Sequence, residues 1–326
     1  MADGLERWAN PSSPHAAGRA ARAMLEDARA RIAGALDWPH ALLFTSGASE
    51  AVAIASTRAK VDRRIASTVE HDAVLRITDG PRLATDRNGV VAPPVSLAGA
   101  RTLYAIQSAN NETGVLQPLD ALAETIRGNG DLLLADCAQS AGKIALPPAD
   151  FIAVSAHKFG GPPGIGALLV RDLATLAPSG GQEQGYRGGT ENLPAVLGMA
   201  AAIAERGDWM TDAAALRARL ETGIAATGGI VIAADAPRLA TIGAYRLPGI
   251  AATSQLIRLD MAGIAVSAGS ACSSGSLKPS HVLAAMGMDE VAARETIRVS
   301  IGRETSAADI DAFLTVYATF RRQAAA

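Results

Sequence analysis

Ser155-Ala156-His157-Lys158 stands where an apolar run, FIAVS (151–155), gives way to glycines. Ligands of open α/β sheets sit beyond the carboxyl ends of strands. A partly desolvated lysine placed there sheds its proton and becomes a Schiff-base nucleophile. The plain alternative is a surface lysine on a turn. A second strand end sharpens the choice. Asp136 terminates DLLLA (131–135), 22 residues before Lys158, and Gln139 follows it by three. A Schiff base with pyridoxal phosphate needs a carboxylate against the pyridinium nitrogen, so that the ring can accept electrons. A helix N-cap is the ordinary use of such an aspartate. Cys137, beside it, reads as a small buried packing residue.

A phosphate needs donors. Ser46-Gly47-Ala48-Ser49-Glu50 is a strand-to-helix turn of small residues, whose N–H groups and helix dipole favour an anion, although many such turns only cap a helix. GGPPGIG (160–166) lacks the Lys-Ser/Thr of a P-loop and holds two prolines, which makes it a structural turn. His71 follows IASTVE, and Asn110-Asn111-Glu112-Thr113-Gly114 follows TLYAI, so both fall at the expected strand-exit edge. Cys272 lies in SAGSACSSG (267–275), nearly all small and polar residues. Its loop is expected to be mobile and its thiol accessible, and such a thiol reacts as its thiolate.

These groups need elements to hold them. Met24, Leu25, Ala28, Ile32 and Leu36 recur at helical spacing and predict a helix over 14–36, with Ser12 or Ser13 as cap. Short apolar strands follow at 41–45, 64–67, 102–106, 131–135, 151–155 and 166–170, with helices from Glu50 and over 118–127. That alternation predicts an α/β fold with a mostly parallel sheet covered on both faces. Beyond Asn192 the texture changes to a long Ala/Leu helical region over 194–227, broken near Gly207-Asp208. Short segments at 230–233 and 240–245, a helix over 254–261, a strand at 296–300 and a helix from Ser306 follow. The expected division is a large α/β domain, 1–208, and a smaller C-terminal α+β domain, 209–326, carrying the Cys272 loop.

Composition removes several classes of function. Lys+Arg number 30 and Asp+Glu 32, a formal charge of −2, which argues against nucleic-acid binding through phosphate charge. Apolar residues reach 49%, which excludes disorder. Aromatics are only 4% against 70 alanines, so small residues must fill much of the core. Two cysteines are too few for a disulfide framework or a zinc cluster, which points to a reducing, cytoplasmic setting and no metal. Met1–Pro11 has no apolar signal-peptide core, and the longest apolar stretch, 195–204, is half of the ~20 residues of a membrane span.

Taken together, the motifs resemble those of the cysteine desulfurases (NifS/IscS-like) in the class V aminotransferase group of fold-type I pyridoxal-phosphate enzymes. The resemblance runs from NPSSPH (10–15), FTSGASEA (44–51), EHDAVL (70–75) and NNETG (110–114) to DCAQSAGK (136–143). It continues through SAHKFGGPPGIGAL (155–168), GGQEQGYRGGTEN (180–192), SAGSACSSGSLKPS (267–280) and IRVSIGRET (297–305). It implies that Lys158 carries pyridoxal 5'-phosphate and acts as the proton-transfer base. Asp136 would pair with the ring nitrogen, Gln139 and Asn111 would contact the phenolic oxygen and its surroundings, and His71 would stack on the ring and take part in the catalytic proton transfers. Ala48, Ser49, Ser155 and His157 would hold the phosphate, and Thr190 would reach the phosphate of a neighbouring subunit in a homodimer. Asn111 and Arg298 would bind the substrate, with Arg298 gripping the carboxylate of L-cysteine at two points. Cys272 would take the sulfur as a persulfide, release alanine and pass sulfur to an iron–sulfur scaffold or tRNA-thiolation partner. The family's opening segment has no counterpart in the nine residues before Asn10. A selenocysteine lyase, another class V enzyme, or a paralogue of reduced activity are the alternatives.

Overall fold

Alternating buried strands and helices become a single large sheet in the first of two units. The computed structural model describes all residues except 79, 95–98, 270–278 and 325–326, with side chains described through residue 320. The first unit comprises Met1–Leu83, Pro93–Ser108 and Pro118–Gly207, and the second Ala84–Ala92, Ala109–Gln117 and Asp208–Ala326.

The first unit holds seven strands: β1 (Ala41–Thr45), β2 (Arg63–Ser67), β3 (Arg82–Leu83), β4 (Thr102–Gln107), β5 (Leu132–Asp136), β6 (Phe151–Ser155) and β7 (Gly166–Val170). Their order is β1-β7-β6-β5-β4-β2-β3. From β3 to β6 every pairing is parallel, whereas β7 runs antiparallel to both β6 and β1. Two reversals restore direction, so β1 points the same way as β6 and its exit falls on the same edge. The helices are α1 (Ala2–Glu6), α2 (Ala16–Ala35), α3 (Ala48–Arg58), α4 (Asp72–Leu75), α5 (Leu119–Gly128) and α6 (Leu193–Ala204).

Every residue of β4, β6 and β7 is buried, as expected for strands covered on both faces. Alanine is what lets α3 lie close: Ala51 and Ala55 are fully buried against Ala153, Leu168 and their neighbours. The cap of α2 differs from the sequence expectation. His15, not Ser12 or Ser13, is the N-cap, and its Nδ1 accepts the Gly18 N–H at 3.1 Å. Ser13 instead crosses so close to Gly18 that a Cβ there would lie 2.3 Å from the Ser13 carbonyl oxygen, and only glycine fits.

The second unit contains a four-stranded antiparallel sheet of β8 (Ile230–Val231), β9 (Ile242–Arg246), β10 (Ser267–Ala268) and β11 (Thr296–Ser300), ordered β10-β11-β9-β8. Its helices are α7 (Met210–Ala226), α8 (Ala252–Met261), α9 (His281–Ala285), α10 (Glu290–Arg294) and α11 (Ala307–Ala324). Tyr245, Leu259, Ile297, Phe313 and Tyr317 form its core, with Phe313 and Tyr317 stacked at 5.3 Å.

Candidate active site

Parallel strands align their carboxyl ends, and in the first unit that edge collects Ser46–Glu50 after β1, Glu70-His71 after β2, Asp136 on β5 and Ser155–Lys158 on β6. β5 and β6 are direct neighbours, so Asp136 and the turn that carries Lys158 lie at adjacent strand ends, and Asp136 feels the Lys158 charge. Asp136 Oδ1 accepts the Ala138 N–H at 2.9 Å. Burial raises the Asp136 carboxyl above its ordinary range, while the Ala138 N–H, His71 and Lys158 draw it back down. His71 and Lys158 are the two cationic groups whose charge Asp136 feels.

Lys158 itself is exposed in a short 3-10 turn (Ala156–Phe159), so burial does not supply the desolvation expected from the sequence. The same turn places Ser155 Oγ 2.9 Å from His157 Nδ1. Burial and the Lys158 charge both push His157 below its usual range. Gly47 brings the turn after β1 against this pair: a Cβ on Gly47 would sit 3.6 Å from Ser155 Oγ. α3 has no side chain capping its first turn, so the N–H groups around Ala48 and Ser49 face a place suited to an anion. His71 is the N-cap of α4, its Nδ1 accepting the Ala73 N–H at 3.1 Å.

Two charged residues of this edge had no role in the sequence reading. Glu70 is fully buried, its Oε1 accepting Ser67 Oγ–H at 2.5 Å and the Gln107 N–H at 2.9 Å. Burial pushes its carboxyl up to about 8, helped by the Asp136 charge. Lys143, half-buried, donates from Nζ to the Gln139 carbonyl at 2.8 Å. Burial, and then the Lys158 charge, lower it to about 8. The signal for Glu70 was an acid directly after the strand segment IASTV.

Asn111 and Arg298 come together in the second unit, where Arg298 Nη1 donates to the Asn111 carbonyl at 3.0 Å. The Asn110–Gly114 turn that presents Asn111 is closed by Asn110 Oδ1, which accepts the N–H groups of Glu112 and Thr113. Gly114, at φ 77°, allows Ile242 to approach; a Cβ there would be 2.4 Å from the Ile242 carbonyl oxygen. Gln139 is half-buried beside Asp136, and Thr190 is exposed after the 179–189 loop. Cys137 is buried, its thiol pushed by burial up to about 12. Cys272 lies outside the described residues.

A model of the aminotransferase class-V family matches residues 5–313. The chain belongs to this family. It is similar to a cysteine desulfurase of Bradyrhizobium diazoefficiens, 37% identical across 94% of this chain and 86% of that protein. It is likewise similar to a cysteine desulfurase of Cereibacter sphaeroides, 38% identical across 95% of this chain and 88% of that protein. The X-ray structure of a NifS-like protein from Rickettsia africae matches with a TM-score of 0.86 at 26% identity, covering 98% of this chain and 94% of that one.

Class-V enzymes use pyridoxal phosphate, and two features of this family member fit it. The desolvated carboxyl of Asp136 suits a protonated ring nitrogen, and the uncapped first turn of α3 beside Ser155 and His157 suits a phosphate.

Proposed function

We propose that this chain is a pyridoxal-phosphate-dependent cysteine desulfurase, converting L-cysteine to L-alanine and holding the sulfur as a persulfide on Cys272. The observation that carries the reading is the adjacency of Asp136 and Lys158 at the ends of paired strands, in a chain of this family. Pyridoxal phosphate, when bound, supplies the electron sink that makes the substrate Cα proton acidic.

The chain's own residues do the rest. Lys158 anchors the cofactor's aldehyde carbon and then moves the proton at the substrate Cα. Asp136 holds the ring nitrogen protonated, and His71 covers the ring. Gln139 and Asn111 contact the phenolic oxygen and its surroundings. Ser49, Ser155, His157 and the N–H groups at Ala48 hold the phosphate. Arg298, steadied by the Asn111 carbonyl, grips the substrate carboxylate. The Cys272 thiolate attacks the substrate sulfur, the C–S bond breaks toward Cβ, and a proton delivered there completes alanine. Thr190 reaches the phosphate of a second copy, so the working form is a homodimer. Sulfur then passes to an acceptor such as an iron–sulfur scaffold or a tRNA-thiolation factor. The setting is cytoplasmic, the reducing compartment that a chain with only two cysteines suits.

The test is the stoichiometric appearance of alanine and sulfide from L-cysteine with a thiol reductant. Wild type should turn over, and Cys272→Ser should keep the visible absorbance of the loaded protein yet release almost no alanine. After L-cysteine alone, one extra sulfur should sit on the Cys272 peptide. Normal turnover by the serine variant sinks the reading.

A further inference from the structure

The loop before Thr190 is held in a conformation that its residues would not choose. Gly180, Gly181, Gly185 and Gly189 have positive φ, and so do two non-glycine residues, Glu183 at 47° and Gln184 at 58°. Such outliers persist only where surrounding contacts over-determine them. Those contacts lead back to β1 and α3. Glu183 makes a two-point pair with Arg29 at 2.7 and 3.0 Å and accepts the Phe44 N–H of β1 at 2.7 Å. Arg58, in the last turn of α3, donates to the Tyr186 carbonyl.

The third link touches the site. Arg187 Nε donates to Glu50 Oε1 at 2.9 Å, and Glu50 Oε2 accepts the Ser46 N–H. Glu50 thus ties the loop arginine to the turn proposed to hold the cofactor phosphate. Burial pushes the Glu50 carboxyl up, but the bonds from Arg187 and Ser46 outweigh it and keep it below its usual range.

We propose that Glu50 and Arg187 are positioning residues that transmit the arrangement of the phosphate turn into the Thr190 segment, coupling cofactor occupancy to subunit pairing. The inference rests on the reading of Thr190 as a ligand of the neighbouring subunit's phosphate. Any cofactor that bridges two subunits tightens the dimer, and by linkage the dimer tightens the cofactor equally. Arg187 lies three residues before Thr190 and bonds to its own chain's phosphate turn, so it governs how much of that coupling is realised.

The measured quantity is the ratio of dimer dissociation constants without and with saturating pyridoxal phosphate, by sedimentation of the full chain. In wild type the ratio should be about tenfold or more. Thr190→Ala should lower it below about threefold, and Arg187→Gln and Glu50→Gln should do the same. The double variant should lose no more than either single one, because both remove one link. Arg187→Lys, which keeps a cation, should recover part of the ratio and covers the case in which Arg187→Gln misfolds. A purely structural role would weaken both dimers alike and leave the ratio intact, which overturns the inference. A wild-type dimer indifferent to the cofactor also overturns it while the dimer reading stands. A wild type that stays monomeric with cofactor bound overturns both.

Discussion

Glu70→Gln isolates the energetic effect of a buried acid at the strand exits. Glu70 has an ordinary value of 4.5 and stands near 8 in the fold, with burial as the main cause. The folded form therefore binds a proton that the unfolded chain releases above about pH 4.5. Stability falls as pH rises through that window and levels off once the folded carboxyl ionises near 8. A shift of this size corresponds to a loss of roughly 3–5 kcal/mol across the window, at ~1.4 kcal/mol per unit. Glutamine cannot ionise, yet its Oε1 still accepts from Ser67 and Gln107, so the variant should lose at most ~1 kcal/mol at pH 5. At pH 8.5 it should be the more stable protein by several kcal/mol, on the order of the loss above. The assay is urea unfolding of cofactor-free protein at pH 5 to 8.5, followed by the fluorescence of Trp8 and Trp38 in a Trp209→Phe background, which reports the first unit alone. Parallel pH profiles for the proteins with and without the Glu70→Gln change would refute the reasoning, since they would mean the carboxyl titrates normally.

Asp136→Asn should weaken pyridoxal-phosphate binding about 10- to 100-fold, the worth of one charge-assisted bond. It should also stabilise the cofactor-free protein above the ordinary carboxylate range, because the folded carboxyl is raised by burial and its ionisation opposes folding as pH rises. Equilibrium dialysis and thermal melts at pH 4 and 8 check the two opposed effects, and a melt lowered at pH 8 counts against the argument. Glu183→Ala removes the buried partner of Arg29, leaving only the exposed Glu26, and should cost ~3 kcal/mol, whereas combining Glu183→Leu with Arg29→Met should recover most of it; melting temperatures decide. Lys143, lowered to about 8, should acetylate at pH 8 faster than exposed lysines of equal access, measured by peptide mass; equal rates oppose the lowering.

The large sheet was legible because its strands are short, apolar and separated by helical spacing, and β11 appears where Thr296–Ser300 was read. The antiparallel run of β7 was not legible, since GALLV has the same buried pattern whichever way it points. His15 displaced the two serines as the α2 cap through the close approach of Ser13 to Gly18, a contact no composition rule contains. Residues 84–92 and 109–117 belong to the second unit through contacts such as the Leu116 N–H to the Pro237 carbonyl and the Thr85 hydroxyl to the Ala285 carbonyl. Those pairings span more than two dozen residues and leave no local trace.

The same distinction separates the parts of the candidate site. Asp136, Lys158 and His71 could be placed at one sheet edge because Asp136 ends β5 and the others closely follow β6 and β2, and strand ends are written in local patterns. Glu70 needed the pairing of β2 with β4 to become buried, and Arg187 needed a partner 137 residues away. Cys137 follows the local rule. Cys137 comes straight after a buried strand, and burial carries its thiol up to about 12, too high for a thiolate near neutral pH. Mild alkylation at pH 8 should therefore spare Cys137 in the folded protein. Under the proposed function the thiol chemistry belongs to Cys272, and a Cys272→Ser protein that still took up iodoacetamide while folded would contradict that proposal.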